Sequence, residues 1–171
     1  MLGARGLKTR DLAFIGVLSA MCAVATAVKI PLGVGAMVHL GTAFLYIAGI
    51  LYGGVYAGFA GAIGSGLYDL IMGFSPYTLW SFVIKGIAGL IIGVVAKGMW
   101  PESGVQKSSA GKVFLACLLA AAWTVFGYVF AWWQIIGSLT VALTNIPSSL
   151  LTSGIGMIVA LFLAPKLRNV I

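Results

Sequence analysis

Residues 78–96 read TLWSFVIKGIAGLIIGVVA. One ionisable side chain, Lys85, interrupts a run that is otherwise apolar or small. About 20 such residues suffice for a helix to cross the hydrocarbon core of a bilayer. Comparable runs lie on either side, and the predicted spans are about 11–28, 40–51, 55–72, 78–96, 112–133 and 147–164. The whole chain agrees with this reading. Of 171 residues 61% are hydrophobic and only 8% are charged, whereas soluble domains carry roughly 25% charged residues. Three acids and ten bases cannot cover the surface of a water-soluble globule. Two cysteines cannot staple a secreted disulfide scaffold, and the apolar content excludes a disordered chain. The predicted fold class is an all-α integral membrane protein. It is a six-transmembrane-helix bundle, with residues 1–171 forming a single membrane domain.

Punctuation between the runs supports these boundaries. Lys29-Ile30-Pro31 ends the first span, because proline cannot continue a helix and pushes the preceding residue out of the α region. Residues 32–39 read as a loop. Gly53-Gly54 separates the second and third spans, and Gly73-Phe74-Ser75-Pro76 is a turn. Residues 101–111 form the only clearly hydrophilic loop. A mixed stretch, 134–145, precedes Pro147, which suits the first turn of the last span, and Pro165 is expected to end that span.

The net charge of +7 could suggest nucleic acid, but its placement suggests a membrane. Eight of the ten bases lie at segment ends: Arg5, Lys8, Arg10, Lys97, Lys107, Lys112, Lys166 and Arg168. With six spans, these positions share one side of the bilayer, so both termini are expected to be cytoplasmic. No nucleic-acid partner is expected. The N-terminal run resembles a signal peptide, with Ala25-Thr26-Ala27 as a cleavage site, but its apolar part is too long for that, and it reads as an uncleaved helix.

Three features carry function. On the first span, Ala13, Gly16, Ala20, Ala23 and Ala27 recur at intervals of three and four, which places them on one face. Lipid tails are as apolar as leucine, so nothing hydrophobic drives such a face inward; its smoothness lets another helix approach closely. Two uses fit: packing within the chain, or docking of a separate protein. The third span (Gly54, Gly58, Gly61, Ser65) and the fourth (Gly86, Gly89, Gly93, Ala96) carry similar stripes, well explained by packing within the chain.

The second feature is charge inside spans. Asp69 and Lys85 each cost roughly 2.5–3.5 kcal/mol if left at the bilayer centre. They either pair and fix helix register or line a polar site that opens outward. Lys29 and His39 bracket the nearby outer connection.

The third is a set of flat and amide side chains in the same outer half. Tyr46, Tyr68, Tyr77, Trp80, Tyr128, Trp132, Gln134 and Asn145 offer stacking faces and hydrogen-bonding groups. Each alone can serve as an interface anchor. Together with His39, Asp69 and Lys85 they outline a substrate-binding site for a small, flat heteroaromatic ligand.

Other chemistry is missing from the sequence. Ala110-Gly111-Lys112-Val113 lacks the upstream glycine and following Ser/Thr of a phosphate-cradling loop. One histidine with Cys22 and Cys117 in separate apolar runs makes no metal site, and no cofactor is expected. The chain is expected not to be an enzyme. A stand-alone small secondary transporter or channel is the alternative reading, although the inner halves of the spans lack the acids of a proton relay.

Several stretches are similar to the substrate-binding S components of energy-coupling factor (ECF) vitamin transporters. Ile15-Gly16-Val17-Leu18-Ser19-Ala20 resembles the family's Ala-x-x-x-Ala element. Val38-His39-Leu40-Gly41-Thr42-Ala43 stands where relatives often read Asn-Leu-Gly-Asp, with His39 for the usual amide and Thr42 for the usual acid. Residues 52–58, 61–64 and 68–70 resemble the Gly-rich second and third spans, residues 85–90 the Lys-Gly-x-x-Gly element, and residues 145–150 the entry to the last span.

The resemblance implies a high-affinity substrate-binding subunit of an ECF-type ABC importer in the bacterial plasma membrane. It implies a vitamin captured from outside, with the nearest likeness to members linked to hydroxymethylpyrimidine, pyridoxine or thiamine-type ligands. It implies two kinds of protein partner, a membrane coupling (T) subunit and two ATPase (A) subunits, which alone hydrolyse ATP. It also implies that Ala13, Gly16, Ala20 and Ala23 dock onto the coupling subunit, and that the protein topples in the bilayer to carry its pocket inward.

Overall fold

The computed structural model describes residues 6–31, 37–100 and 109–168. Helix α1 spans Thr9–Ala27 and leads into two short strands, β1 (Lys29–Pro31) and β2 (Met37–His39). Then come α2 (Gly41–Tyr52), α3 (Gly54–Ile71), a 3₁₀ turn at Ser75–Tyr77, α4 (Thr78–Ala96), α5 (Ala110–Ile136), α6 (Leu139–Leu143) and α7 (Ile146–Arg168). Among the described residues, four segments are long and apolar enough to cross a membrane: Thr9–Ala27, Pro76–Ala96, Ala110–Ile136 and Leu139–Arg168. Helix α2, with 12 residues, is only about 18 Å long at 1.5 Å per residue. Helix α3 is longer, but its apolar character is diluted by glycines and Asp69.

Three expectations change in detail. The connection expected as a loop at 32–39 contains β2, paired antiparallel with β1 in the register Lys29↔His39, Ile30↔Val38, Pro31↔Met37. Residues 32–36 lie outside the described residues. Pro165 does not end the last helix, which continues to Arg168. Proline removes only the donor at its own position, and the helix carries on for three residues past it. Helix α5 runs beyond the expected Trp133 to Ile136, where Gly137 at φ +77° takes the left-handed conformation and stops it.

The packing is inverted relative to a soluble bundle. Large apolar side chains such as Leu12, Val24, Leu79, Phe126 and Phe162 face outward, while alanine, glycine and serine fill much of the interior. That arrangement suits lipid, in which close backbone approach holds helices together. It is clearest between α3 and α4. A Cβ on Gly93 would strike the backbone of Gly53 and Gly54, and one on Gly89 would strike the Ala57 carbonyl. The glycine stripes of the third and fourth spans therefore interlock with each other.

Helix α1 packs on α3 through Ile15 and Leu18 against Tyr56 and Ala60. A Cβ on Gly64 would meet Ser19 and Cys22 of α1. Asp11 is buried at the start of α1, where it accepts hydrogen bonds from the Lys8 backbone N–H at 2.9 Å and from the Tyr56 hydroxyl at 2.6 Å. The sequence offered no sign of this acid–phenol tie. The main core joins α2, α4, α5 and α7 around Leu45, Tyr46, Ile92, Ala116 and Ala160.

Candidate functional site

The polar residues inside the helices recur at helical spacing and share faces. Ser65, Tyr68 and Asp69 form one such face on α3, and Ser81 and Lys85 another on α4. Thr124, Tyr128 and Trp132 do the same on α5, and Ser148, Ser149 and Thr152 on α7, just after Asn145. The bundle turns these faces towards one another. Together with Thr26 of α1, Met37 and His39 of β2, and Phe74 and Tyr77 of the turn, they line a cavity of about 190 Å³. Roughly 10–15 Å³ of such space admits one water, so there is room for roughly a dozen or more small groups.

Lys85 is the buried cation of this site. Its Nζ donates to Thr42 Oγ1 at 2.9 Å and lies 5.5 Å from the centre of the Tyr128 ring. Asp69 lines the same cavity from α3. Ser81 and the Tyr128 hydroxyl share a hydrogen bond of 3.2 Å across α4 and α5. On α7, Ser149 donates to Asn145 Oδ1 at 2.6 Å and Ser148 to the Asn145 carbonyl at 3.1 Å. Thr152 donates to the Met37 carbonyl at 3.2 Å, which ties β2 to α7.

Two cavity-lining side chains carry buried polar atoms without a hydrogen-bond partner among the described residues, His39 Nδ1 and the Tyr68 hydroxyl. Such orphans are rare in folded proteins and mark places where a ligand or water completes the bonding. Burial, reinforced by the nearby Lys85 and Lys29 charges, pushes the His39 pKa down to about 3, so the imidazole is neutral at physiological pH. At the base of the hairpin, Lys29 lies 5.3 Å from the ring centres of both Tyr68 and Phe74. These cation–π contacts fasten the hairpin beside the cavity.

Of the eleven residues outlined by the sequence, the structure brings eight together, His39, Tyr68, Asp69, Tyr77, Lys85, Tyr128, Trp132 and Asn145, while Gln134 does not line the cavity. Tyr46 is elsewhere, fully buried in the core between α2 and its neighbours. Trp80 packs edge-on against Phe130, with ring centres 5.6 Å apart, and does not line the cavity. Aromatic content alone could not separate these two from the others, because a tyrosine or tryptophan is stable against protein, lipid or ligand alike. Sequence reasoning passed over the hydroxyls, among them Thr26, Ser65, Ser81, Thr124, Ser148, Ser149 and Thr152. The signal was their spacing of three and four from one another or from the charged and aromatic residues.

The small-residue face of α1 lies away from this cavity. Ala13, Gly16 and Ala20 are exposed and Ala23 is half-buried. A Cβ on Gly16 would meet nothing within 4 Å. The described residues contain no cluster of His, Cys, Asp and Glu able to hold a metal ion.

Residues 6–169 match the family described as the S component of ECF-type riboflavin transporters. Among curated proteins, the chain is 33% identical over 91 residues to an uncharacterized protein from Pyrococcus woesei, covering 53% of this chain and 55% of that one. It is 37% identical over 76 residues to a UPF0397 protein from an Exiguobacterium species, covering 44% and 41% respectively. The chain thus spans about half the length of the curated relatives it matches. Two solved structures share the fold. One is the S component of a bacterial ECF transporter, with TM-score 0.66, 16% identity, and coverage of 96% of this chain and 98% of that one. The other is FolT bound with folic acid, with TM-score 0.66, 18% identity, and coverage of 94% and 98%.

Proposed function

Because this chain belongs to the family of ECF-type riboflavin transporter S components, we propose that it captures one water-soluble vitamin or precursor in the cavity between α3, α4, α5 and α7. It is a multi-pass membrane protein of the bacterial plasma membrane. The observation that carries the proposal is the cavity itself. It is a partly open, aromatic-walled recess inside a lipid-suited bundle, into which the apolar wall sets Lys85, Asp69, and the unpartnered His39 Nδ1 and Tyr68 hydroxyl. Burying these groups with no ligand role would cost the bundle stability and give nothing in return.

The ligand is a small, flat heteroaromatic compound of the hydroxymethylpyrimidine, pyridoxine or thiamine type. The recess of about 190 Å³ supports that size. Small ligands gain at most about 1.5 kcal/mol per non-hydrogen atom, so tight binding of about 10–13 atoms requires near-complete enclosure. Strands β1 and β2 support such enclosure, since Lys29 over Tyr68 and Phe74 fastens them beside the recess.

The rest of the reading follows the family's division of labour. The chain forms one membrane domain in which α1, α2, α3, α4, α5 and α7 make six membrane passes, with both termini cytoplasmic. The open face at Ala13, Gly16, Ala20 and Ala23 docks a coupling subunit that carries two ATPases. The exposure of that face and the empty space over Gly16 support this use.

The test is calorimetric titration of the purified full chain with pyridoxine, hydroxymethylpyrimidine, thiamine, riboflavin, folate and pantothenate. Binding of one of them is expected, and binding of none overturns the proposal. Uptake into liposomes by this chain alone would favour a self-sufficient transporter instead.

A further inference from the structure

The donors and acceptors around the cavity are unevenly matched, and the mismatch constrains the ligand's chemistry. Five hydroxyls on its wall have committed their only hydrogen inside the protein. Thr26 donates to the Cys22 carbonyl and Thr124 to the Ala120 carbonyl, both at 2.8 Å. Ser148, Ser149 and Thr152 donate to the Asn145 carbonyl, Asn145 Oδ1 and the Met37 carbonyl. A hydroxyl has one hydrogen and two lone pairs, so the capacity these oxygens retain is to accept. Asp69 adds a carboxylate, which when ionised also only accepts.

Against these acceptors stand the unpartnered Tyr68 hydroxyl, the Asn145 amide nitrogen and the buried Lys85. Its ammonium uses one hydrogen on Thr42 and keeps two. No hydrogen bond or ion pair joins Lys85 to Asp69; the two charges line one cavity from different helices.

We propose, resting on the vitamin-binding reading above, that the cavity selects a ring polarised across its width. An accepting or anionic edge of the ring faces Lys85. A rim of amino or hydroxymethyl donors faces Asp69 and the hydroxyl wall. The same ring bearing a carboxylate on that rim is rejected, because its lone pairs would meet lone pairs and its charge would meet Asp69. A 4-amino-5-hydroxymethylpyrimidine has this pattern, with ring nitrogens as acceptors and two donor groups on one side. Pyridoxine has it too, with a phenolic oxygen on one side and a hydroxymethyl group on the other.

The experiment is calorimetry on the detergent-solubilised full chain with matched probes. These are 4-amino-5-hydroxymethyl-2-methylpyrimidine and its 5-carboxylate, pyridoxine and 5-pyridoxate, with riboflavin and folate alongside. At least one parent ring is expected to bind, and its carboxylate to bind about tenfold to a hundredfold more weakly, the effect of leaving charged acceptors unpaired. Asp69→Asn, checked for cooperative thermal unfolding, narrows that gap. Ser149→Ala, which removes one accepting oxygen, narrows it in the same direction and serves if Asp69→Asn does not fold.

The inference is overturned if the carboxylate binds as well as its parent, or if both folded variants leave the gap unchanged. It is also overturned if riboflavin or folate binds and neither parent ring does, an outcome that leaves the vitamin-binding reading standing. Binding of no probe overturns both.

Discussion

Lys85 Nζ on α4 donates to Thr42 Oγ1 on α2 across 2.9 Å, joining the shortest of the six long helices to a side chain that lines the cavity. Both side chains are buried, at 3% and 1% exposure. The bond does two things at once. It gives a buried ammonium a fixed acceptor, and it aims the ammonium's remaining hydrogens.

Thr42→Val keeps the shape and removes the acceptor. It is expected to lower stability by about 1.5–3 kcal/mol, the range for hydrogen bonds to charged groups. Adding Lys85→Met to that variant should restore part of the loss, since the unpaired charge is what costs most. Thermal unfolding in detergent measures both. A Thr42→Val protein as stable as the parent would show that the ammonium is satisfied by other means.

Gly16 and Gly93 make opposite predictions although both sit in small-residue stripes. A Cβ on Gly93 would run into the Gly53–Gly54 backbone, which cannot step aside. Gly93→Ala is therefore expected to cost about 3 kcal/mol or more through overpacking. Gly16 faces open space, so Gly16→Leu should stay within about 0.5 kcal/mol of the parent. It should also leave vitamin binding intact while blocking co-purification with a coupling subunit. Equal destabilisation by both substitutions would mean that the α1 face is packed within the chain.

His39 sets a pH dependence whose sign follows from burial. Its pKa falls from an ordinary 6.5 to about 3 in the folded protein. Between those values the unfolded chain binds more protons than the folded one, so stability is intact above pH 6.5 and declines as pH falls towards 3. The slope from this one group is at most about 1.4 kcal/mol per pH unit. His39→Gln should flatten the profile between pH 6 and 4, as read by thermal unfolding across that range. An unchanged profile would show that the imidazole is not held neutral.

The helices were legible because their causes are local. Hydropathy, proline and glycine placed the long elements within a few residues, as at Thr78–Ala96, where expectation and structure coincide. The departures arose where a distant partner mattered. Strand β2 exists because β1 pairs with it, and Asp11 is buried because Tyr56 of α3 reaches it. Neither partnership leaves a trace in hydropathy.

The site divided in the same way. Asp69 and Lys85 stood out because ionisable groups in hydrocarbon are costly and need a reason. Tyr46 and Trp80 looked equivalent to Tyr68 and Trp132, yet the packing of α2 and α4 turned the first pair elsewhere. A tyrosine or tryptophan is stable against protein, lipid or ligand alike, so its identity does not say which surface it meets. The hydroxyls carried even less individual signal, since serine or threonine in a membrane helix can bond to its own backbone, as Thr26 and Thr124 do.

The amino-acid sequence by itself determined that this protein lives in a membrane, that it is helical, and that two of its charges require compensation. Each of those follows from transfer energies and backbone bonding within a single segment. Only the tertiary structure decided that polar stripes on α3, α4, α5 and α7 face one recess while the smooth edge of α1 faces away from it. Glycine contacts between α3 and α4 help set how those helices approach and rotate. Such contacts are a property of pairs of helices, and no single stretch of chain contains them.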